Sequence, residues 1–306
     1  MTRADAVSPT AVEAFDAWRS PAGPRSARVD ISGIAVEFEG LPDALADRMA
    51  EAYRPYHSAP TGAGRPLRVR VHQAPIEYFV PPGFAPAWEV YRMHTALVGG
   101  VFRTVSYRLA SWIDVARREG EIALATGDRD PAPRALENFL RSTVAWLAID
   151  SGGFFLHGAS IVRGGRCYLF YGPSGAGKST LAAMSLEGEV ISDDLTLLLR
   201  RPDGLVAAGG PFRGTYSRGT PVVGTFPVAG FYRLRKDART FVAPGTGACF
   251  ADLLGNLPFV VDQLPTHSHL IDRVRAQVEG ARFRYLHFRK DQDFWPAIDS
   301  DFDVVA

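Results

Sequence analysis

Nine consecutive residues near the middle of the chain combine glycine, lysine and hydroxyl side chains in a pattern suited to binding phosphate groups. They are Gly172, Pro173, Ser174, Gly175, Ala176, Gly177, Lys178, Ser179 and Thr180. The glycines let the backbone curl so that its N–H groups point inward, where they bind anionic oxygens at the start of a helix. Lys178 would place its charge on the β- and γ-phosphates, and the Ser179 hydroxyl would ligate Mg²⁺. This Walker A pattern predicts a P-loop that binds a nucleoside triphosphate.

The residues on either side of this loop supply the context that the pattern requires. Residues 166–171 are apolar and rich in β-formers, which predicts a buried strand, and residues 181–186 suit the first turns of a helix. A strand, a glycine-rich loop and a helix in this order favour a working P-loop over a glycine-rich turn that binds nothing.

A pair of acids, Asp193 and Asp194, follows shortly after the loop in a β-prone stretch, residues 189–199. Phosphoryl transfer needs Mg²⁺ and a group that orients or deprotonates the attacking nucleophile. We expect one acid to contact the metal together with Ser179 and the other to be the base. Successive residues on a strand point to opposite faces, so both can face the loop only if the strand ends there. The alternative is an acidic pair at a strand end that faces solvent.

Two further residues are candidates for the same site. His157 lies on a predicted strand, residues 154–162, that leads through Gly164 and Gly165 into the strand before the loop. It is either a neighbour of the transferred phosphate or a histidine satisfied within the core. Arg213, in a glycine-rich segment, would stabilise charge on the γ-phosphate or on an anionic substrate. The alternative for Arg213 is an ordinary surface arginine.

Together, the run of residues 157–159, the P-loop and the triplet at 192–194 resemble the catalytic domain of HPr serine kinase/phosphorylase and its relatives. The resemblance covers roughly residues 150–295. It implies a fold like that of phosphoenolpyruvate carboxykinase, ATP and Mg²⁺ as cofactors, Asp194 as the base, Asp193 as its metal-side partner and His157 beside the phosphates. The Gly-Arg-Gly signature of the bifunctional enzymes does not occur in this sequence. Residues 209–214 instead look like those of HPr-kinase-related proteins such as the lasso-peptide kinases, which phosphorylate a Ser of a precursor peptide.

Composition limits the partners and the compartment. Formal net charge is only +1, so no global field would draw the chain to nucleic acid or to an anionic membrane. The sequence contains no apolar run of about 18 residues, so it does not predict a membrane span. The first residues do not form a secretion signal. The two cysteines, Cys167 and Cys249, are too few for a disulfide framework or a metal motif. These observations favour the cytoplasm.

The predicted organisation is a flexible N-terminal segment (1–27), an α+β domain (28–130) and the HPr-kinase-like ATP-binding domain (131–306). In the N-terminal domain we expect a strand pair or a bent strand over residues 28–38, a helix opened by Pro42, a strand at residues 67–72 and an antiparallel meander within residues 88–125. A long amphipathic helix, residues 131–151, leads into the second half. There a two- to three-residue glycine turn predicts an antiparallel hairpin that enters the P-loop. The fold class is therefore mixed α/β, of the α+β type with a mixed sheet.

Three functions remain open from the sequence. The first is a kinase that transfers the γ-phosphoryl group of ATP to a hydroxyl, foremost a Ser of a peptide or protein. The second is a kinase acting on a small-molecule hydroxyl. The third is a nucleotide-dependent ATPase or switch without a phosphate acceptor. The resemblance adds the possibility of a homo-oligomer.

Overall fold

The computed structural model describes residues 21–57, 64–74, 93–106, 109–125, 132–185, 188–212, 214, 222–290 and 293–303. The chain divides into two compact units, Met1–Leu147 and Ala148–Ala306. Some predictions fall on residues that the structure does not describe. They concern most of the N-terminal segment, the start of the meander at residues 88–92, and Arg213. Residues 25–27 of the segment predicted to be flexible belong to the first strand.

The first unit is built on a sheet of seven described strands in the order β1-β2-β3-β7-β6-β5-β4. Its elements are β1 (Arg25–Ile31), β2 (Ile34–Leu41), α1 (Asp43–Ala52), β3 (Leu67–Ala74), β4 (His94–Val98), β5 (Val101–Ser106), β6 (Leu109–Asp114) and β7 (Glu119–Ala125). Strands β1 and β2 form an antiparallel hairpin, and β4 to β7 form an antiparallel meander. Strand β3 pairs in parallel with β2 and β7. Of the two alternatives for residues 28–38, the structure shows the strand pair. The meander is confirmed within the described residues 93–106 and 109–125.

The long predicted helix is present as α2 (Ala132–Asp150). Its apolar residues recur at helical spacing, and Leu140, Val144 and Leu147 are fully buried. Within the first unit, the Phe139 ring packs edge-on against Phe38 of β2 at a centroid distance of 6.0 Å. The boundary between the two units falls within this helix, whereas the sequence placed it before the helix. Pro42 precedes α1 as its N-cap residue rather than lying in its first turn.

The second unit contains eight described strands and four helices. Its elements are β8 (Gly153–Arg163), β9 (Arg166–Tyr171), α3 (Lys178–Met184), β10 (Glu189–Ser192), β11 (Leu195–Arg201), β12 (Gly204–Ala208), β13 (Thr225–Lys236), β14 (Phe241–Pro244), α4 (Gly247–Leu254), α5 (His269–Gln277), β15 (Phe283–Phe288) and α6 (Trp295–Asp303). Strand β13 pairs in parallel with β9 and β15, and the other pairs of the sheet are antiparallel. The chain is thus mixed α/β with sheets of mixed orientation, which agrees with the predicted α+β class.

The strand that enters the P-loop is the second strand of an antiparallel hairpin, as predicted. Gly164 and Gly165 connect β8 to β9 with φ of 60° and 73°, the left-handed conformation that tight hairpin turns require. At the other end of the hairpin, a Cβ atom on Gly158 would lie 2.7 Å from the Phe170 carbonyl oxygen. Glycine at this position therefore allows β8 to approach β9 where the loop begins.

A buried aromatic core supports β9, β13 and β15 beneath α3. It includes Phe170, Leu181, Tyr232, Leu286, Phe294 and Trp295. Each large apolar side chain removed from water contributes about 2 to 3 kcal/mol, as an upper estimate, to the free energy of unfolding. An ion pair also holds helix α6 against the sheet: Arg163 of β8 donates hydrogen bonds of 2.7 and 3.0 Å to the two carboxylate oxygens of Asp299. The sheet edge that carries the loop is therefore well supported.

The predicted strand that carries the acidic pair is interrupted in the structure. The acidic pair was expected on a continuous strand over residues 189–199, but β10 ends at Ser192 and β11 begins at Leu195. Both strands pair with β8, and the pairing register shifts between Val190 and Ser192. At the break, the Gly158 N–H donates to the Asp194 carbonyl over 2.9 Å. The acids therefore occupy a bend rather than the two faces of a strand.

Among the described residues, no helix combines the length and the apolar character needed to cross a membrane.

Candidate active site

A cavity of about 880 Å³ lies at one edge of the second unit's sheet. It is lined by β8, the P-loop with the start of α3, the break between β10 and β11, Gly214 after β12, and the ends of β13 and β15. The lining residues are His157, Ser174, Gly175, Gly177, Lys178, Ser179, Thr180, Asp193, Asp194, Gly214, Lys236, Asp237, Phe288, Arg289 and Lys290. The structure therefore brings His157, the loop and both acids together at one cavity.

The P-loop has the backbone conformation for which its glycines are needed. Gly172, Gly175 and Gly177 have φ of 153°, 76° and 106°, a region that side chains with a Cβ atom rarely adopt. Gly177 has a second reason to be glycine, since a Cβ there would lie 2.5 Å from the ring of Phe288. The turn closes through a 3.0 Å hydrogen bond from the Ala176 N–H to the Pro173 carbonyl.

Lys178 is the buried cation of the loop, with 8% of its surface exposed. Its Nζ donates hydrogen bonds to the carbonyl oxygens of Gly172 at 2.9 Å and Pro173 at 3.4 Å. Burial lowers the pKa of this ammonium, the Asp194 carboxylate opposes that effect, and the Arg233 guanidinium adds to it. Gly172, Pro173 and Ala176 do not line the cavity themselves. The first two hold the lysine, and Ala176 packs against the aromatic core.

The two acids have different environments although they are adjacent. Asp193 is only 5% exposed, and its Oδ1 accepts a 2.9 Å hydrogen bond from the Gly214 N–H. A Cβ on Gly214 would lie 2.6 Å from the other oxygen of Asp193, so this contact requires glycine. The Asp194 side chain is 26% exposed, and its Oδ1 lies 3.8 Å from Nε2 of His157. Because β10 ends before the two acids and β11 begins after them, both acids can face the cavity.

A buried chain of hydroxyl groups supports the bend that carries the acids, and sequence reasoning missed it. Thr196 Oγ1 donates to Ser160 Oγ over 2.7 Å, and Ser160 Oγ donates to the Ser192 carbonyl over 3.4 Å. Ser192 Oγ in turn accepts a 3.1 Å hydrogen bond from the backbone N–H of Asp194. These hydroxyls are buried, so they fix the backbone of the bend where water does not compete.

His157 is positioned by its backbone. It pairs with Leu195 of β11, and its N–H donates to the Asn256 carbonyl over 2.8 Å. Burial lowers the pKa of its imidazole, the Lys178 ammonium lowers it further, and the Asp194 carboxylate opposes both. Because the net effect keeps the pKa of His157 below its ordinary value, the neutral imidazole predominates at pH 7.

A first prediction concerns the titration of His157. We expect its midpoint below 6.5, rising when Lys178→Met removes a cation and falling further when Asp194→Asn removes an anion. NMR titration of the imidazole ring measures all three midpoints, and His157→Gln identifies the resonance. A midpoint at or above 6.5, unmoved by either substitution, would show that the three side chains do not interact.

The structure adds lining residues that sequence reasoning did not select: Lys236, Asp237, Phe288, Arg289 and Lys290. They come from the ends of two strands that lie far apart in the chain. One signal was available, because the sequence contains only three lysines, Lys178, Lys236 and Lys290, and all three line this cavity.

The donors at the loop fit Mg²⁺ better than a transition metal. The described residues contain no group of three or more His, Cys, Asp or Glu able to hold a metal ion. Mg²⁺ does not need such a cage, since it keeps several waters and binds through one or two carboxylates and the substrate phosphates. The Ser179 hydroxyl and the Asp193 and Asp194 carboxylates supply oxygen donors of that kind. His267 and His269, whose ring centres are 6.0 Å apart, do not line this cavity.

Comparison with known proteins leaves the site to be interpreted from its own geometry. No family model matches the chain, and a search of curated proteins finds no similar sequence. The chemistry and placement of the lining residues are therefore the basis for assigning a function.

Proposed function

We propose that this chain is an ATP- and Mg²⁺-dependent kinase that transfers the γ-phosphoryl group to a hydroxyl. The observation that carries the proposal is that the P-loop, Asp194 and His157 line one cavity. A triphosphate held by the loop would present its terminal phosphate near Lys178, and a carboxylate on the same cavity wall could receive the proton of an incoming hydroxyl. Phosphoryl transfer needs these parts and little covalent chemistry from the protein.

In this proposal the two acids have separate roles. The acceptor oxygen bonds to the γ-phosphorus, the bond to the β–γ bridging oxygen breaks, and the hydroxyl proton passes to Asp194. Asp194 suits this role because it is the more exposed of the two acids and lies near His157. Asp193 is bound to the Gly214 amide, so it would fix the wall of the cavity and add a metal-side oxygen. Bound Mg²⁺ would supply charge neutralisation at the β- and γ-phosphates.

Lys178 and His157 would bind the donor rather than react with it. The Lys178 ammonium would exchange its loop carbonyls for phosphate oxygens and stabilise negative charge there. His157, neutral at pH 7, could donate one ring N–H to a phosphate oxygen without opposing the charge of Lys178. The proposed role of Arg213 at the γ-phosphate lies outside the described residues.

We further propose that the second unit is an HPr-kinase-like domain with the phosphoenolpyruvate carboxykinase-like arrangement. An antiparallel hairpin that enters the P-loop, a mixed sheet, and the chain order of His157, loop and acidic pair support this. The acceptor proposed first is a Ser of a peptide or protein, with the N-terminal unit as a docking or substrate-shaping domain. Cys167 and Cys249, both free and buried, are compatible with the cytoplasm.

The test follows the γ-phosphate. The protein is incubated with γ-labelled ATP, Mg²⁺ and extracts or peptides encoded near its gene, and the labelled species are identified by mass spectrometry. We expect phosphoserine in a peptide or protein, with a labelled metabolite as the outcome for a small-molecule kinase. Label that appears only as free phosphate under all conditions would contradict the kinase and favour an ATPase.

A further inference from the structure

The cavity has a second cationic wall, formed by Lys236, Arg289 and Lys290 at the ends of β13 and β15. We call these three residues the β13–β15 rim. The chain has 34 Lys and Arg residues but only three lysines, and two of those three are in the rim while the third is the P-loop lysine. A surface patch of scattered charge would draw mainly on the abundant arginines.

The sheet topology places the rim on the opposite side of the loop from the acids. Strand β9, which carries the loop, pairs with β8 on one side and with β13 on the other. His157 lies on β8, and the acidic bend pairs with β8. On the other side, β15 continues the sheet beyond β13, with Lys236 opposite Phe288. Because β9, β13 and β15 are parallel, their carboxyl ends meet at the same edge.

The ends of the two rim strands are tied together. The Asp237 N–H donates to the Phe288 carbonyl over 3.2 Å, and Asp237 Oδ2 lies 2.9 Å from Nδ1 of His287. Asp237 Oδ1 accepts the backbone N–H groups of Ala238 and Arg239 at 2.7 and 3.3 Å. The hydrogen bond to His287 holds the pKa of Asp237 below its ordinary value. The Asp237 carboxylate thus holds the turn after β13, directly after Lys236, against the end of β15.

The direction of the bound nucleotide follows from this layout. The transferred phosphate must be on the side of Asp194 and His157, since the base has to reach the acceptor hydroxyl there. The rest of the nucleotide then extends across the loop toward β13 and β15. We propose that the β13–β15 rim binds the nucleoside side of the donor, namely its α-phosphate and ribose hydroxyls. This inference rests on the proposed function, and it specifies a nucleoside 5′-polyphosphate rather than an inorganic polyphosphate as the ligand.

Lysine and arginine suit this role chemically. Their ammonium and guanidinium groups donate charge-assisted hydrogen bonds to phosphate oxygens, and they also donate to hydroxyl oxygens. With the nucleotide in the proposed direction, such contacts would be made beyond the two phosphates that pyrophosphate offers to the P-loop. Removing the rim charges should therefore weaken the binding of ADP but not that of pyrophosphate. A general loss of positive potential would instead weaken the binding of both ligands.

The test compares two ligands on matched variants by titration calorimetry in the presence of Mg²⁺. The ligands are ADP and pyrophosphate, and the test variant is Lys236→Met with Lys290→Met. The control variant is Arg239→Met with Arg273→Met, which removes the same charge from exposed residues that do not line the cavity. Thermal unfolding of each variant verifies that it is folded. A variant with Lys236→Arg and Lys290→Arg, which keeps both charges, replaces the test variant in a rescue measurement.

We expect the test variant to bind ADP about 10-fold or more weakly, pyrophosphate within about twofold of the unsubstituted chain, and the arginine pair to restore ADP affinity. The inference would be overturned if the test variant bound both ligands equally more weakly, or if it bound both as tightly as the unsubstituted chain does. Failure of the unsubstituted chain to bind either ligand would instead overturn the proposed function, so the two failures are distinguishable. If only the test variant unfolds, the ADP and pyrophosphate affinities of single Lys236→Met and Lys290→Met variants decide by the same criteria.

Discussion

Asp194→Asn is expected to lower the rate of phosphoryl transfer by about 10²- to 10⁴-fold, the usual contribution of a positioned general base. Asparagine has nearly the same shape as aspartate but cannot accept the hydroxyl proton. MgATP affinity should change much less, because the P-loop and Lys178 remain. The measurement is kcat and KM for ATP once an acceptor is identified, with direct MgADP binding as the check on the site.

The matched control is Asp203→Asn, an acid-to-amide change at an exposed residue between β11 and β12. It should keep the rate of the unsubstituted protein. An Asp194→Asn variant that transfers phosphate at more than a tenth of the normal rate would contradict the assignment of Asp194 as the base. Rapid acceptor-free hydrolysis that disappears in Asp194→Asn would identify an ATPase instead.

Gly177→Ala is expected to weaken MgATP binding by about 100-fold. Two costs combine, because alanine at φ of 106° is strained and its Cβ would lie 2.5 Å from the Phe288 ring. Left-handed strain costs about 1 to 2 kcal/mol, and overpacking against the buried Phe288 ring costs about 1 to 3 kcal/mol. Both costs would destabilise the loop conformation in which the backbone N–H groups point at the phosphates, so they would reduce the affinity for MgATP. Calorimetric titration with MgATP measures the loss.

Gly175 supplies the control for that prediction. Its φ of 76° is also positive, but a Cβ there would meet nothing within 4 Å. Gly175→Ala should therefore carry only the backbone strain and weaken binding about 10-fold. Adding Phe288→Leu to Gly177→Ala should recover part of the affinity by making room for the methyl group. Equal affinities for the two alanine variants would contradict the contact between the loop and Phe288.

The parts of the site that are local in sequence were predictable. The P-loop is a contiguous pattern, and the two glycines at 164 and 165 indicate a hairpin by themselves. The acidic pair was found as a pair, but its geometry was not, because the break between β10 and β11 depends on contacts with Gly158 and Gly214. The amide of Gly214 lies 21 residues from Asp193, and no local pattern indicates that it binds there.

The β13–β15 rim was not predictable from periodicity or motif. Lys236 and Lys290 line the same cavity because β13 and β15 pair in parallel, with Lys236 opposite Phe288. Parallel pairing joins strands through a long crossover, so sequence distance gives no indication of contact. The rarity of lysine in an arginine-rich chain was the available signal. It indicates which cations are exceptional without indicating where they lie.

The measurement that tests the account most directly is a crystal structure of the protein with Mg²⁺ and a non-hydrolysable ATP analogue. We expect the β-phosphate within the loop of residues 172–178, the γ-phosphate between Lys178 and the side of Asp194 and His157, and the ribose over the β13–β15 rim. A nucleotide bound outside the loop, or one with its γ-phosphate directed at Lys236 and Lys290, would contradict the proposed kinase geometry.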